Sequence, residues 1–355
     1  MTVSIITGDC IEQLSIIPAG HFQTCVTSPP YFGLRDYGVA GQIGLEDSLD
    51  EFIAKMVEVF RQVWRVLRED GTLWLNLGDS YAGGGNGGGG SFAKDGVRCA
   101  PPGTDKNKAA RTGRRGVGGE LKPKDLMMVP ARVALALQAD GWWLRSDIIW
   151  HKPNPMPESA HDRPTSAHEH VFLFSKSARY FYDADAIREG RTSDEDAATF
   201  RGGAYIGGEI DNNATGKRTV VGNCKIKVPG GWDRGDGSHG TLHRTGRTSG
   251  EYQEVPIKEG RNSRNVWTIA TRPFTEAHFA TFPPELAERC ILAGSRRGDT
   301  VLDPFGGAGT TGMVADRLQR SAVLFEINPE YALMARRRLE KDRGALLNHI
   351  QEAVA

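Results

Sequence analysis

The feature that most constrains this fold is a glycine-rich turn close to the end of the sequence. The turn reads PFGGAGTTG and lies between TVLD, a short apolar run that predicts a strand, and a segment that predicts a helix. Its residues Gly307, Gly309 and Gly312 fit G-x-G-x-x-G, the spacing that lets a backbone approach a nucleotide ligand closely. Only residues 313–355 follow, too few to complete a nucleotide-binding sheet. The missing strands must therefore come from the N-terminal half of the chain.

The rest of the sequence supplies these strands in a β-α-β rhythm. SIIT, a Gly-Asp turn and QTCVT come first, and apolar residues at three-to-four spacing predict an amphipathic helix over 49–67, followed by strand TLWLNLG. A helix from Pro130 and strands in LRSDIIW, HEHVFLFSKS and VWTIA continue the pattern. After 283 come a helix ending near Gly294, strand AVLFEI and a C-terminal helix from Pro329. This alternation predicts an α/β fold with a Rossmann-like, doubly wound and mostly parallel sheet.

Two segments interrupt the rhythm. Residues 83–124 are glycine-rich and carry nine Lys or Arg against three acids, in a chain whose formal net charge is zero. Such a basic loop is a candidate for phosphate contacts, with a solvated linker as the alternative. Residues 187–266 lose apolar periodicity apart from β-like TVVG and CKIKV, which predicts a second, irregular module. The predicted domains are therefore 1–186, this module and 267–345, with 346–355 as a C-terminal tail.

The segment TSPPYFG follows the predicted strand QTCVT directly. Proline has a fixed φ and no N–H group, so Pro29 and Pro30 end the strand and hold the chain in a stiff turn. The turn carries the hydroxyl of Ser28, imide carbonyls and the aromatic ring of Tyr31. The sequence therefore predicts a rigid set of hydrogen-bond acceptors beside a stacking surface.

The glycine turn is expected to bind a nucleoside with a cationic tail. Asp303 begins the turn, where its carboxylate would repel a pyrophosphate and attract a cation. Glu326 ends the next predicted strand, nineteen residues after Gly307, where a carboxylate can accept both ribose hydroxyls. A ribose-binding Glu326 fits either ligand, but the Asp303 carboxylate and the short segment after the turn disfavour NAD and favour S-adenosylmethionine. A glycine turn with a packing role only, and a nicotinamide-dependent oxidoreductase, remain the alternatives.

TSPPY followed downstream by FPPELAERCI, DPFGGAGTT and LFEINPEY resembles the amino-methyltransferases of DNA, in the permuted order called the β class. The resemblance implies a circularly permuted class I methyltransferase fold, in which 187–266 is the target-recognition module. It implies methyl transfer from S-adenosylmethionine to an exocyclic amine of a flipped base in double-stranded DNA. Serine before PPY favours N4 of cytosine slightly over N6 of adenine. Members of the group are often dimers, so a homodimer is a candidate assembly.

The same resemblance implies roles for individual residues. Ser28 Oγ and the Pro29 carbonyl would accept hydrogen bonds from the amine protons, and Pro30 would stiffen the turn. Tyr31 would stack on the base through its ring, so Tyr31→Phe is expected to have only a mild effect on catalysis. The implied cofactor-binding residues are Asp9, Cys10, Phe282, Pro283, Asp303, Pro304, Phe305, Gly307, Gly309, Thr310 and Glu326. The candidate DNA-binding residues are Arg111, Arg114, Arg115, Arg218, Lys225, Lys227, Arg244 and Arg247.

Cysteines, histidines and hydropathy exclude several other classes. The five cysteines form no CxxC pair, which argues against zinc and a disulfide framework, and none follows a proline as carbon-5 methylation of cytosine would require. His168 and His170 alternate along a predicted strand, so no metal site is expected. The absence of an apolar run of about 18 residues predicts a cytoplasmic protein without a membrane span. A methyltransferase acting on RNA or protein amides and a non-catalytic DNA-binding module stay open.

Overall fold

The structure is a computed structural model of the 355-residue chain. It describes residues 1–34, 36–82, 121–122, 124–190, 261–271 and 283–354, together with four short strands between 225 and 256. The chain divides into two compact units, one formed by 1–181 with 264–355 and the other by 182–263. The sequence had suggested 187–266 for the second unit.

The larger unit contains eight strands and six helices among the described residues. The strands are β1 (Val3–Thr7), β2 (Phe22–Thr27), β3 (Leu67–Leu77), β4 (Trp143–His151), β5 (His168–Ser175), β10 (Val266–Thr268), β11 (Thr300–Asp303) and β12 (Ser321–Glu326). The helices are α1 (Cys10–Ser15), α2 (Leu49–Val66), α3 (Val129–Ala139), α4 (Pro284–Gly294), α5 (Thr310–Arg317) and α6 (Pro329–Val354). None of the helices in the described ranges is both long and apolar enough to cross a bilayer.

The eight strands form one sheet in the order β1-β12-β11-β2-β3-β5-β4-β10. Every neighbouring pair is parallel except the two that involve β5, which runs antiparallel to β3 and β4. The predicted α/β, mostly parallel fold is therefore confirmed. Because β11 pairs with β2, the C-terminal strands complete a sheet begun by the N-terminal half. The carboxyl ends of the parallel strands and the amino end of β5 consequently share one edge of the sheet.

Helix α2 shows how local sequence sets these elements. It begins after Ser48, whose Oγ accepts a hydrogen bond from the Glu51 N–H (3.2 Å) and so caps the helix. Its three-to-four repeat of apolar residues is buried, including Phe52, Met56 and Phe60. The helix ends at Val66 and β3 begins at the next residue; after Leu67, three residues of β3 are not buried, and burial resumes from Gly71 to Leu77.

The structure also differs from the sequence-based assignment at several points. Helix α6 continues to Val354, so the predicted tail at 346–355 is helical over most of its length. In the smaller unit, β6 (Lys225–Pro229) pairs antiparallel with β9 (Tyr252–Pro256), and β7 (Trp232–Asp233) with β8 (His243–Arg244). The predicted strand TVVG lies outside the described residues.

Gly294, at the end of α4, is a sensitive packing position. A Cβ added there would lie 2.7 Å from Thr24 Oγ1, 2.7 Å from Trp74 Nε1 and 2.9 Å from Thr72 Oγ1. We expect Gly294→Ala to lower the free energy of unfolding by about 1–3 kcal/mol, measured by urea denaturation, because overpacking forces neighbours to shift. Gly344→Ala in α6 is the matched control, since a Cβ there meets no atom within 4 Å. Equal stability of the two variants would contradict this packing argument.

Candidate active site

A cavity of about 310 Å³ opens at the carboxyl edge of the sheet. One end, here called the glycine-turn end, is lined by Gly8, Asp9, Cys10, Pro304, Phe305, Gly306, Gly307, Ala308, Thr310 and Glu326. The other, the prolyl-turn end, is lined by Ser28, Pro29, Pro30, Tyr31, Asn76, Trp150, Lys152 and Glu169. The two motifs that stand far apart in the sequence therefore share one cavity.

The glycine-turn end contains the buried carboxylate of Glu326, which accepts a hydrogen bond from the backbone at Gly307, where open space is left for a ligand. Glu326 is 9% exposed; its Oε2 accepts a hydrogen bond from the Gly307 N–H (2.8 Å) and its Oε1 from the Asn328 N–H (2.9 Å). Burial raises the pKa of the Glu326 carboxyl, and these two hydrogen bonds partly oppose the rise. Gly307 has a φ of +48°, and a Cβ there would meet nothing closer than Phe305 O at 3.9 Å. The turn thus lets a ligand approach the backbone closely.

Asp303 does not line this cavity, although the sequence suggested that it would face a cationic ligand. It is 1% exposed, and its Oδ1 accepts hydrogen bonds from Thr27 Oγ1 (2.6 Å) and the Phe305 N–H (3.0 Å). Its Oδ2 accepts from Thr311 Oγ1 (2.6 Å). Asp303 therefore fastens the end of β2 to the glycine turn, one residue before Ser28.

The buried charge of Asp303 gives a pH-dependent prediction. Burial raises the pKa of this carboxyl above its ordinary value, despite the hydrogen bonds from Thr27, Thr311 and Phe305. Ionisation of Asp303 therefore lowers the free energy of unfolding as pH rises through the raised pKa. An uncharged residue at position 303 has no such effect. Between about pH 4 and pH 7 we expect the free energy of unfolding of Asp303→Asn to increase relative to the original protein, measured by urea denaturation. If the difference in free energy of unfolding between the two proteins did not change with pH, this prediction would be wrong.

The other predicted cofactor-binding residues fall into three groups. Asp9, Cys10, Pro304, Phe305, Gly307, Thr310 and Glu326 line the cavity. Gly309 and Pro283 do not: Gly309 has a φ of +76° and packs so tightly that a Cβ would lie 2.9 Å from Ala335 Cβ, while Pro283 is buried and precedes α4. Phe282 lies outside the described residues.

At the prolyl-turn end, the catalytic-motif residues are held by packing. Phe32 is 5% exposed and its ring lies 5.5 Å from that of Phe52, so it anchors the turn in the core and is not among the residues that line the cavity. Gly78 makes room for Tyr31, since a Cβ there would lie 2.6 Å from Tyr31 Cε2. Four residues predicted from the sequence line this end: Ser28, Pro29, Pro30 and Tyr31.

A polar cluster at this end was not predicted. Tyr31 Oη donates a hydrogen bond to Glu169 Oε2 (2.7 Å), and Asn76 Nδ2 donates to both Tyr31 Oη (2.7 Å) and Glu169 Oε2 (2.8 Å). Lys152 Nζ forms an ion pair with Glu169 Oε1 and lies 4.6 Å from the centre of the Trp150 ring. The sequence signal that could have identified Asn76, Lys152 and Glu169 is their position, because each lies at the end of a strand on the ligand-binding edge of the sheet.

The charges that line the cavity restrict the ligand. Among the described lining residues the acids are Asp9, Glu169 and Glu326, and the single cation is Lys152, which is paired with Glu169. The glycine-turn end thus offers two carboxylates and no described Lys or Arg. Such an end suits a nucleoside with a positive charge better than a pyrophosphate.

The candidate DNA-binding residues lie largely beyond the described part of the chain. Lys225 and Lys227 fall in β6 and Arg244 in β8. Outside the described residues are Arg111, Arg114, Arg115, Arg218 and Arg247. Within the described ranges, no group of three His, Cys, Asp or Glu side chains is arranged to hold a metal ion.

Comparison with known proteins identifies relatives over nearly the whole chain. The family model N6_N4_Mtase, described as DNA methylase, matches residues 22–337. Type II methyltransferase M.SmaI of Serratia marcescens is 40% identical over 340 residues, covering 96% of this chain and 91% of that protein. Type II methyltransferase M.Cfr9I of Citrobacter freundii is 40% identical over 339 residues, covering 95% and 87%.

Two solved structures share the fold at low sequence identity. The PvuII DNA methyltransferase (cytosine-N4-specific) aligns with a TM-score of 0.56 and 18% identity, covering 98% of this chain and 93% of that one. TTHA0409 of Thermus thermophilus, solved in complex with S-adenosyl-L-methionine, aligns with a TM-score of 0.51 and 21% identity, covering 96% and 95%. Both comparisons agree with the α/β sheet described above.

Proposed function

This chain belongs to the DNA methylase family of the N6_N4_Mtase model, and on that premise we propose that it methylates an exocyclic amino group of a base in double-stranded DNA. S-adenosylmethionine is the cofactor, and it supplies an electrophilic methyl group on a sulfonium. Relatives named Type II methyltransferases support a role as the modification enzyme of a restriction-modification system.

The observation that carries the proposal is the shared cavity. Ser28 lines one end of it and Glu326 the other, and the Thr27–Asp303 hydrogen bond (2.6 Å) joins the strands that bear the two motifs. Holding the acceptor amine and the cofactor in one enclosed space is what a direct transfer between them requires.

The glycine-turn end fits the proposed cofactor. Each Glu326 carboxylate oxygen has one described backbone donor and can accept further hydrogen bonds, so Glu326 can hold the ribose hydroxyls. The open space above Gly307 allows close approach of the nucleoside. Asp9 and Glu326 provide negative charge near a cationic ligand, and the absence of a described cation at this end disfavours NAD.

The prolyl-turn end fits the proposed acceptor. The lone pair of an exocyclic amine is delocalised into the base, so the nitrogen is a poor nucleophile until acceptors draw its protons out of the plane. Among the described residues, Ser28 Oγ donates a long hydrogen bond to Tyr31 Oη (3.4 Å) and accepts one from Asn76 Nδ2 (3.4 Å), so one lone pair of its oxygen stays available for such a proton. The Pro29 carbonyl is the second acceptor, and the two prolines keep both in place without a covalent intermediate.

The proposed base is cytosine, methylated at N4, with adenine N6 as the alternative. The preference comes from Ser28, since serine before PPY resembles the cytosine-directed members of the group. The base would be flipped out of the duplex to enter the cavity. The basic segment 83–124 and the 187–266 module remain the predicted DNA-binding regions, and the homodimer remains a prediction.

Mass spectrometry of nucleosides tests the proposal. DNA from cells lacking other methyltransferases is incubated with the purified protein and S-adenosylmethionine that carries a deuterated methyl group, then digested to nucleosides. We expect labelled N4-methylcytosine, and labelled N6-methyladenine would support the alternative base. An absence of labelled nucleoside in DNA of diverse sequence, together with labelling of RNA or protein, would overturn the proposed function.

A further inference from the structure

Methylation of an amine releases one proton, and Ser28 cannot keep it. The hydroxyl of serine is neutral and its oxygen is a far weaker base than a carboxylate at neutral pH. The proton that leaves the target nitrogen toward Ser28 Oγ must therefore pass to another group.

Three carboxylates line the described part of the cavity, and one of them is placed to receive this proton. Asp9 Oδ1 accepts from the Ile11 and Glu12 N–H groups and caps α1 at the glycine-turn end. Glu326 is held by backbone N–H groups at that same end. Glu169 is the acid among the described lining residues of the prolyl-turn end.

A hydrogen-bond chain leads from Ser28 to this acid. The Ser28 hydroxyl donates to Tyr31 Oη (3.4 Å), and the Tyr31 hydroxyl donates to Glu169 Oε2 (2.7 Å). Asn76 Nδ2 donates to Tyr31 Oη and Glu169 Oε2, which holds the two oxygens in place. Lys152 occupies the other carboxylate oxygen, Oε1, so Oε2 is left for the chain.

We propose that Glu169 is the terminal acceptor of the proton released by the target amine, reached through the hydroxyl groups of Ser28 and Tyr31. The inference rests on the proposed function and adds a positioned base to it. As the nitrogen lone pair forms the N–C bond, the C–S bond breaks and its electron pair neutralises the sulfonium. The amine proton moves to Ser28 Oγ, the Ser28 proton to Tyr31 Oη and the Tyr31 proton to Glu169 Oε2. Ser28 and Tyr31 end neutral, and Glu169 ends as a carboxylic acid that returns its proton to water.

Two further properties agree with this role. Burial, with the neighbouring Glu169 carboxylate as a second cause, raises the pKa of the Tyr31 phenol well above its ordinary value, so Tyr31 stays protonated and can relay a proton. The Glu169 and Lys152 side chains are 15% and 19% exposed. An ion pair that is partly buried contributes little to stability, and its place at the cavity agrees with a functional role.

The test measures the rate of the methyl-transfer step in single turnover, with saturating cofactor and duplex DNA. We expect Glu169→Gln to reduce the rate about 100-fold, the lower range for general acid–base catalysis, because the amide that replaces the carboxylate cannot accept the proton. Tyr31→Phe should cause a similar loss, in contrast to the mild effect expected from the sequence. The double variant should be no slower than either single variant, because both interrupt the same path.

Cofactor affinity serves as an independent readout and should change little in all three variants. Glu158→Gln is the matched control, because Glu158 forms an ion pair with Arg163 (2.5 Å) and does not line the cavity. A rate in Glu169→Gln equal to that of the original protein, or additive losses in the double variant, would overturn the relay. If the original protein itself transfers no methyl group to DNA, the proposed function fails instead, and the two failures are thereby distinguished.

Discussion

Replacement of Ser28 by alanine is expected to reduce the rate of methyl transfer by roughly 100- to 1,000-fold, the loss that follows removal of one preorganised hydrogen-bonding group from a transition state. The alanine leaves the prolyl turn intact, because the turn is held by Pro29, Pro30 and the buried Phe32. It also leaves the Thr27–Asp303 hydrogen bond in place, so the glycine-turn end keeps its geometry. The loss should therefore appear in the rate and not in cofactor affinity.

Single-turnover kinetics and equilibrium binding of S-adenosylmethionine separate these two quantities. Ser177→Ala is a suitable control, since Ser177 donates its hydroxyl to the Arg179 carbonyl (2.5 Å), is not among the described residues that line the cavity, and follows β5 at the opposite edge of the sheet. We expect that control to match the original protein. Parallel losses of affinity and rate in Ser28→Ala would show that Ser28 supports the fold of the cavity, and the assigned role would then be wrong.

Much of this fold could be predicted because its determinants are local. The prolines end β2 at Ser28, the glycine turn sits between β11 and α5, and the apolar repeat of α2 sets its buried face. Strands that alternate with helices then require a mostly parallel sheet, and the short segment after the glycine turn requires that the N-terminal half complete it. Each of these inferences depends on neighbours within one or two elements.

The role of Asp303 could not be predicted in the same way. The sequence shows a carboxylate at the start of a glycine turn, which suggested contact with a cationic ligand. Its actual partners include Thr27, 276 residues upstream, and a threonine from the helix that follows the turn. Burial by a distant strand, which no local pattern reports, turned a candidate ligand contact into a structural junction.

Glu169 was missed for a related reason. The segment HEH places three consecutive polar residues on a predicted strand, with side chains on alternating faces of the sheet. The sequence does not show whether that strand runs parallel or antiparallel to its neighbours. Strand β5 is antiparallel to both neighbours, so its first residues, and not its last, lie at the ligand-binding edge. The hydrogen bonds of the Tyr31 hydroxyl could not be predicted either, because its partners, Glu169 and Asn76, come from other strands.

Glu326→Ala is expected to weaken binding of S-adenosylmethionine by at least about 100-fold, measured by calorimetry without DNA. The physical reason is the loss of a buried carboxylate that would accept the two ribose hydroxyls, each charge-assisted hydrogen bond contributing about 1.5–3 kcal/mol. Glu326→Gln should lie between Glu326→Ala and the original protein, because its amide keeps one acceptor oxygen, which can serve a ribose hydroxyl and one of the Gly307 and Asn328 N–H groups. At saturating cofactor, the methyl-transfer rate should stay near that of the original protein.

The pH dependence of this affinity gives the sharper result. Because burial raises the pKa of Glu326, its carboxylate is protonated at a higher pH than an exposed glutamate, and cofactor affinity should begin to fall there as the solution is acidified. Glu326→Gln cannot titrate at this position and should lose that part of the dependence. Glu330→Ala, an exposed neighbour on α6, should retain both the affinity and the pH profile. Unchanged affinity in Glu326→Ala would mean that the ribose is held elsewhere in the cavity, and the assignment of the glycine-turn end as the cofactor site would be wrong.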